Sequence, residues 1–433
     1  MKLYDKLYRL SFSRPAGTDA EARAAELLSR EICALGYEPV TEPFTFERRT
    51  PVCAELCAIG EDGTETIFPV TGVTDSAPTL AEGTISEFHY LKSLDEVSLS
   101  RIRGKIVLLH DRLSEDEYVR LREAGVAAYI TTSGTVRDTE DTSDLETARF
   151  RYNLQDYGAV PAFTIRMTDA VKLLRSRPAR IRYRLLLEKE IVHSRNITVL
   201  IPGETIPGEI LTVGAHYDSV PFSLGSWDNG AGAVEMLALL EYLKNHPPRR
   251  SVQVVLFGSE ECGLMGSRAF TEAHREELLS TQAMVNVDVG GSILGKEIIF
   301  VTAGEDAETW VHSLLKETGY EAVTTRCMMS SDSAVFSDRG IPSISIGQGA
   351  PRGGGYMHTR YDNMDLISED VLQAEARFLT TLVSRLTEAE LLPMRRSVPE
   401  KLRKDLLSYF GKTVSKYNEI PPSPEYMPPV FHF

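Results

Sequence analysis

From about residue 193 onward the chain alternates short apolar runs with helix-like stretches, and each apolar run stops on a polar, chemically capable side chain. EILTVGA runs into His216, SVQVVLFGS into Glu260, and AMVNV into Asp288. Between and beyond these runs, the spacing of apolar residues predicts helices from Ala231 to Lys244, near Leu264 to Leu279, and near Val371 to Ala389. Strands this apolar must be buried on both faces, and helices alternating with them cover those faces. The expected fold is α/β, a sheet covered by helices on both sides. Ligands in such sheets gather beyond the carboxyl ends of the strands, and the polar residues that close the runs sit at those ends.

The rest of the chain has a different texture. Residues 18–36 predict an amphipathic helix, with Ala22, Leu27, Leu28, Ile32 and Leu35 near helical spacing and Gly36 closing it, and a strand-like run from Tyr37 to Phe46 follows. Between 63 and 192 short β runs and turns (GKIVLLH, VAAYITTS, VPAFTI, RIRYRLLL) surround one helix near Glu115 to Ala124, which marks a separate small domain. A length of 433 residues agrees, because it exceeds one usual core. The expected organisation is a main domain over 1–62 and 193–390, an inserted domain over 63–192, and a tail over 391–433. The tail holds a helix-like stretch from Glu400 to Phe410 and a proline-rich run, IPPSPEYMPP. Its sequence leaves open packing on the body, contact with a partner subunit in a homo-oligomer, or mobility.

A net charge of −15 excludes nucleic acid as the main partner, since phosphate binding needs clustered Lys and Arg. No stretch is apolar and long enough to span a bilayer, and Met1 to Lys6 lead into mixed polar sequence without the core of a signal peptide. No membrane association is expected, and the expected compartment is the cytoplasm. The cysteines Cys33, Cys53, Cys57, Cys262 and Cys327 are odd in number and irregularly spaced, which fits reduced thiols. Cys53 and Cys57 lack a second pair to complete a tetrahedral metal set.

Five clusters carry chemistry. In Gly214-Ala215-His216-Tyr217-Asp218 a neutral imidazole can bind metal while Asp218 orients its other nitrogen. In Ser226-Trp227-Asp228-Asn229-Gly230 a carboxylate precedes a turn of small residues that opens a helix; alone it would read as a helix cap. Gly258-Ser259-Glu260-Glu261-Cys262-Gly263 puts adjacent carboxylates after a buried strand, where their repulsion is costly without a cation. A divalent metal resolves the conflict if one carboxylate binds it and the other takes a proton from the activated water. Asn286-Val287-Asp288 ends a further strand, and Tyr356-Met357-His358-Thr359 with Asp362 follows a glycine-rich loop. Each has a bland alternative: a solvated acidic loop, a strand that merely ends in a polar residue, a surface histidine. Together, two histidines and three carboxylates make a hard-to-borderline donor set suited to two zinc ions sharing a bridging carboxylate.

In chain order, H-x-D, D-N-G, E-E-x-G-L-x-G-S, N-x-D and Y-x-H-T-x-x-D resemble the co-catalytic zinc peptidases of metallopeptidase clan MH, which include bacterial leucine aminopeptidases and glutamate carboxypeptidase. The resemblance covers roughly residues 10–60 and 193–390. It implies a three-layer α/β/α zinc-exopeptidase fold with a mixed central sheet and two zinc ions per chain. Asp228 would bridge them, His216 and Asp288 complete one site, and Glu261 and His358 complete the other. Glu260 would be the general base, Tyr356 would help stabilise the oxyanion, and the substrate would be a peptide. The segment 63–192 resembles a small β-rich protease-associated domain. Where many relatives carry S-D-H, this chain has Ser331-Asp332-Ser333, which bears on the substrate pocket. The implied activity is that of an aminopeptidase. A carboxypeptidase is the first alternative, with Arg268, Arg352 or Arg360 to meet a substrate carboxylate. A single-zinc glutaminyl cyclase and a non-catalytic, receptor-like relative are the others.

Overall fold

A computed structural model describes residues 2–109, 113–135, 138–139, 144–350 and 356–416; the proline-rich run and Arg352 lie outside them. The chain divides into two compact units, one of residues 1–46, 193–407 and 415–433, the other of residues 47–192 and 408–414.

In the first unit the sheet runs from one edge to the other through Val323–Thr325, Lys296–Thr302, Ser343–Gly349, Thr281–Val287, Ile206–His216 and Arg250–Phe257 to the end of Arg180–Ile201. Thr281–Val287, Ile206–His216 and Arg250–Phe257 are mutually parallel, whereas Lys296–Thr302 pairs antiparallel with Ser343–Gly349 and Arg180–Ile201 antiparallel with Arg250–Phe257. The sheet is therefore mixed. Side chains alternate between its faces. Val213, Ala215, Val254, Leu256, Val285 and Val287 pack with Val234, Leu237 and Leu240 of the helix Ala231–Asn245 and Leu379 and Leu382 of Glu369–Glu388. Val255, Phe257 and Met284 turn the other way, onto Phe270, Leu278, Phe336 and Ile341. Burying each of the larger of these side chains contributes about 1.5–3 kcal/mol. The expected three-layer α/β/α arrangement with a mixed sheet is the one observed.

Register places the site. Phe257 pairs with His216 and Asn286 with Gly214, so the three parallel strands stop at one edge and Asp288 falls level with His216.

Two sequence expectations shift in detail. The strand-like run from Tyr37 to Phe46 belongs to a longer strand, Val40–Ile59. The helix expected to reach Leu279 ends at Ala273, with a short turn at Glu277–Leu279. Leu278 is nonetheless buried with Phe270, so apolar spacing reported a shared core across a break in the backbone helix.

In the second unit the sheet runs from Arg180–Ile201 through Thr84–Leu91, Ile106–Leu109, Ala128–Ser133 and Ala162–Arg166 to Val70–Gly72, and Val40–Ile59 pairs with Glu65–Phe68. Its helix Glu115–Glu123 is closed by a capping box between Ser114 and Glu117. Among the described residues no helix is long and apolar enough to cross a membrane, and all five cysteines are free thiols.

Candidate metal centre

His216 is the last residue of its strand and is 1% exposed. Its Nε2 lies 3.1 Å from Asp228 Oδ1 and 3.2 Å from Asp288 Oδ1, which brings three expected ligands to one point. Asp228 Oδ2 lies 3.3 Å from His358 Nε2, and that nitrogen lies 3.1 Å from Glu261 Oε2. Each oxygen of the Asp228 carboxylate thus faces a different group of candidate ligands. The sequence-expected set forms two clusters that meet at Asp228.

The backbone that presents these groups is held by polar side chains. Asp218 accepts from the Glu260 N–H at 2.9 Å and the Glu261 N–H at 3.2 Å, while its Oδ1 lies 3.4 Å from His216 Nδ1. One carboxylate therefore holds the backbone of the acidic pair and lies beside the imidazole. Asp362 accepts from the N–H groups of Trp227 and Asp228 at 2.7 and 3.1 Å. Asn229 donates to the Val287 carbonyl at 2.8 Å and accepts from the Val289 N–H at 3.3 Å, tying the Asp228 turn to the end of the Asp288 strand. Ser259, Val289 and His358 adopt positive φ, 56°, 71° and 62°. That conformation is costly for a β-branched residue such as Val289, and it occurs at or beside the acidic pair, Asp288 and His358.

Electrostatics support the same grouping. Among the described residues, the ion pairs of Asp228, Asp288 and Glu261 are all with His216 and His358. Burial opposes charging of His216, but Asp288, Asp218 and Asp228 outweigh it and raise its pKa well above the ordinary value. Glu261, beside it in the fold, holds His358 up to about 12. Burial lifts Glu261 to about 7 and Glu260 well above its ordinary value, with Glu261, Asp288 and Asp332 adding to the effect on Glu260. Without a cation these carboxylates need protons to coexist. The buried Glu261 Oε1 has no hydrogen-bond partner, as expected of an oxygen aimed at an ion. The donor set fits divalent metal of the zinc type.

Glu260 belongs to neither cluster. The Tyr356 ring lies 5.6 Å from the Trp227 ring. At the departure from S-D-H, Ser333 accepts a hydrogen bond from Ser345 Oγ at 2.8 Å, and the buried Asp332 is pushed up to about 7 chiefly by burial.

Sequence reasoning missed Arg14. Its guanidinium is fully buried and donates to the carbonyls of Tyr217, Leu10, Leu224 and Gly225, bracing the exits of both the His216 strand and the Asp228 turn. A lone Arg in LSFSRP gives no sequence signal, because carbonyl partners carry no residue identity.

Comparison with known proteins adds the following. Residues 196–383 match the sequence profile of peptidase family M28. The aminopeptidase YwaD of Bacillus subtilis is 26% identical over 397 residues, spanning 88% of this chain and 82% of that protein. A vacuolar membrane protease of Candida glabrata is 26% identical over 224 residues, of which this chain spans only 23% of that protein's length. The structure of a zinc aminopeptidase from Bacillus subtilis superposes with a TM-score of 0.73 at 23% identity, covering 93% of this chain and 98% of that one. A peptidase M28 precursor from Shewanella amazonensis gives 0.70 at 22% identity, covering 92% and 95%.

Proposed function

We propose, on the match of residues 196–383 to the peptidase family M28 profile, that the chain is a zinc-dependent aminopeptidase with two metal sites sharing Asp228. The observation that carries this reading is the division of the Asp228 carboxylate, with Oδ1 at 3.1 Å from His216 and Oδ2 at 3.3 Å from His358. His216 and Asp288 would hold one ion, Glu261 and His358 the other. Bound zinc would supply Lewis acidity and lower the pKa of water to near neutrality. Glu260 takes the proton of the attacking water and returns it to the leaving amine. Asp218 keeps Glu260 in place through its backbone N–H and fixes the ring of His216. Tyr356, packed on Trp227, donates to the developing oxyanion. The preference for a free amino terminus rests on the relative named an aminopeptidase and on carboxylates available to meet an ammonium group.

All the proposed ligands lie in the first unit, so the inserted unit contributes none. We read it as a protease-associated-like domain that affects access or substrate choice.

The test is hydrolysis of aminoacyl amides by the zinc-loaded protein. The expected result is turnover of substrates with a free amino terminus and none of amino-blocked peptides. Cleavage only of blocked peptides from their carboxyl end would replace the reading with a carboxypeptidase.

A further inference from the structure

Gln348 lies at the end of the strand Ser343–Gly349 and is 6% exposed. Its Oε1 accepts from the indole Nε1–H of Trp227 at 2.9 Å and from the Ser292 N–H at 2.9 Å. Its Nε2 donates to the Ser292 carbonyl at 2.9 Å, to Glu297 Oε1 at 2.7 Å and, more weakly, to Glu375 Oε1 at 3.3 Å. Every hydrogen-bonding capacity of the amide is used. Its orientation is settled by chemistry, since a flipped amide would set NH2 against two N–H donors and its carbonyl against a carboxylate.

What these partners carry matters more than their number. Trp227 immediately precedes Asp228, and its ring packs on Tyr356, which lies just before His358. Ser292 lies in the turn that follows Asp288, and the N–H of Gly291 in that turn donates to Glu375 Oε2 at 2.8 Å. Glu297, in turn, accepts from the Tyr320 hydroxyl at 2.9 Å. A single buried amide thus joins the segments bearing Asp228 and Asp288, reaches the His358 segment through the tilted contact of the Trp227 and Tyr356 rings, and is held from behind by two carboxyl groups.

We propose that Gln348 is a positioning residue of the metal centre, setting the spacing between the Asp228 and Asp288 segments and the placement of the Trp227–Tyr356 pair. It touches neither ligand side chains nor substrate and acts through Trp227 and Ser292. The proposal rests on the two-metal reading above.

Three variants of the full chain test it: Gln348→Leu, Gln348→Glu, and Gln348→Glu combined with Glu297→Gln. In Gln348→Leu the buried Trp227 and Ser292 donors lose their acceptor. Zinc affinity, read by competition with a chromogenic chelator, should fall about 10–100-fold. For an aminoacyl amide, kcat should fall with it while KM changes by less than about threefold, as expected when positioning rather than binding is lost. Gln348→Glu sets one acceptor against another, and Glu297→Gln returns a donor across the same contact. The double variant should recover about tenfold in both zinc affinity and kcat relative to Gln348→Glu alone, a coupling that a general loss of packing would not produce. A folded Gln348→Leu with wild-type zinc affinity and kcat overturns the proposal, as does a double variant no better than Gln348→Glu. If Gln348→Leu does not fold, the exchanged pair decides alone. A wild-type protein that binds no zinc overturns the functional reading and this proposal together. A wild type that binds zinc and hydrolyses its substrate beside indifferent Gln348 variants overturns this proposal only.

Discussion

In the proposed two-metal reading Asp228 serves two clusters with one carboxylate, and the adjacent acids Glu260 and Glu261 take different roles although one chain segment presents both. Geometry separates the pair: Glu261 Oε2 meets His358 at 3.1 Å, while Glu260 joins neither cluster. Glu260→Gln should therefore keep its zinc and lose activity by about a hundred- to ten-thousand-fold, the usual contribution of a general base. Glu261→Gln should instead weaken zinc binding, measured by chelator competition; the reverse pattern would mean that the two roles are exchanged. A residue remote from the centre gives a pH signature. His274 Nε2 lies 3.1 Å from both oxygens of Glu42, and that contact is the main reason its pKa is raised above 6.5. With the folded pKa above the unfolded one, the stabilisation is complete below about pH 6.5 and is lost as pH rises through the folded value. The stability difference between wild type and His274→Gln, from denaturant unfolding at fixed metal content, should shrink from pH 6 to pH 9. At this scale the sequence was legible where a polar residue closes an apolar run, as at His216 and Asp288. Gln348 closes the run SISIG in the same way and could have been found by the same rule. Arg14 could not, because the carbonyl partners that tie it to the site lie far along the chain, the Tyr217 contact spanning 203 positions.

At the level of elements, the site depends on how closely the helix Ala231–Asn245 starts against the neighbouring strand end. A Cβ on Gly232 would lie 2.5 Å from Asn229 Oδ1 and 2.9 Å from the Val287 carbonyl, so the turn carrying Asp228 fits only if that atom is missing. Gly232→Ala should destabilise the protein by about 1–3 kcal/mol through overpacking, read as a lower denaturation midpoint, and should weaken zinc binding by displacing Asp228. Unchanged stability and affinity would show that the turn can shift freely. The strand–helix alternation was legible because both faces of the sheet are buried, which leaves runs such as VVLF without polar interruption. Strand order and direction were not, since the antiparallel partners of Arg250–Phe257 and Ser343–Gly349 depend on long-range pairing that no local pattern encodes. The departure at Glu277–Leu279 has the same origin, because burial continues where the helix does not.

For the molecule as a whole, the centre gathers carboxylates that repel one another unless a cation or protons intervene, so metal and fold should be linked. Zinc at a hundred times its Kd stabilises a native state by about 2.7 kcal/mol per site, and chelation should lower the thermal midpoint with recovery on adding zinc back. An unchanged midpoint would place the centre outside the cooperative core. The most direct measurement is the zinc content per chain after loading and exhaustive dialysis, by elemental analysis against protein concentration. Two ions per wild-type chain are expected, falling when Asp228, the residue shared by both clusters, is replaced by Ala. A stoichiometry at or below one with zinc in excess would contradict a centre built from two sites that meet at Asp228.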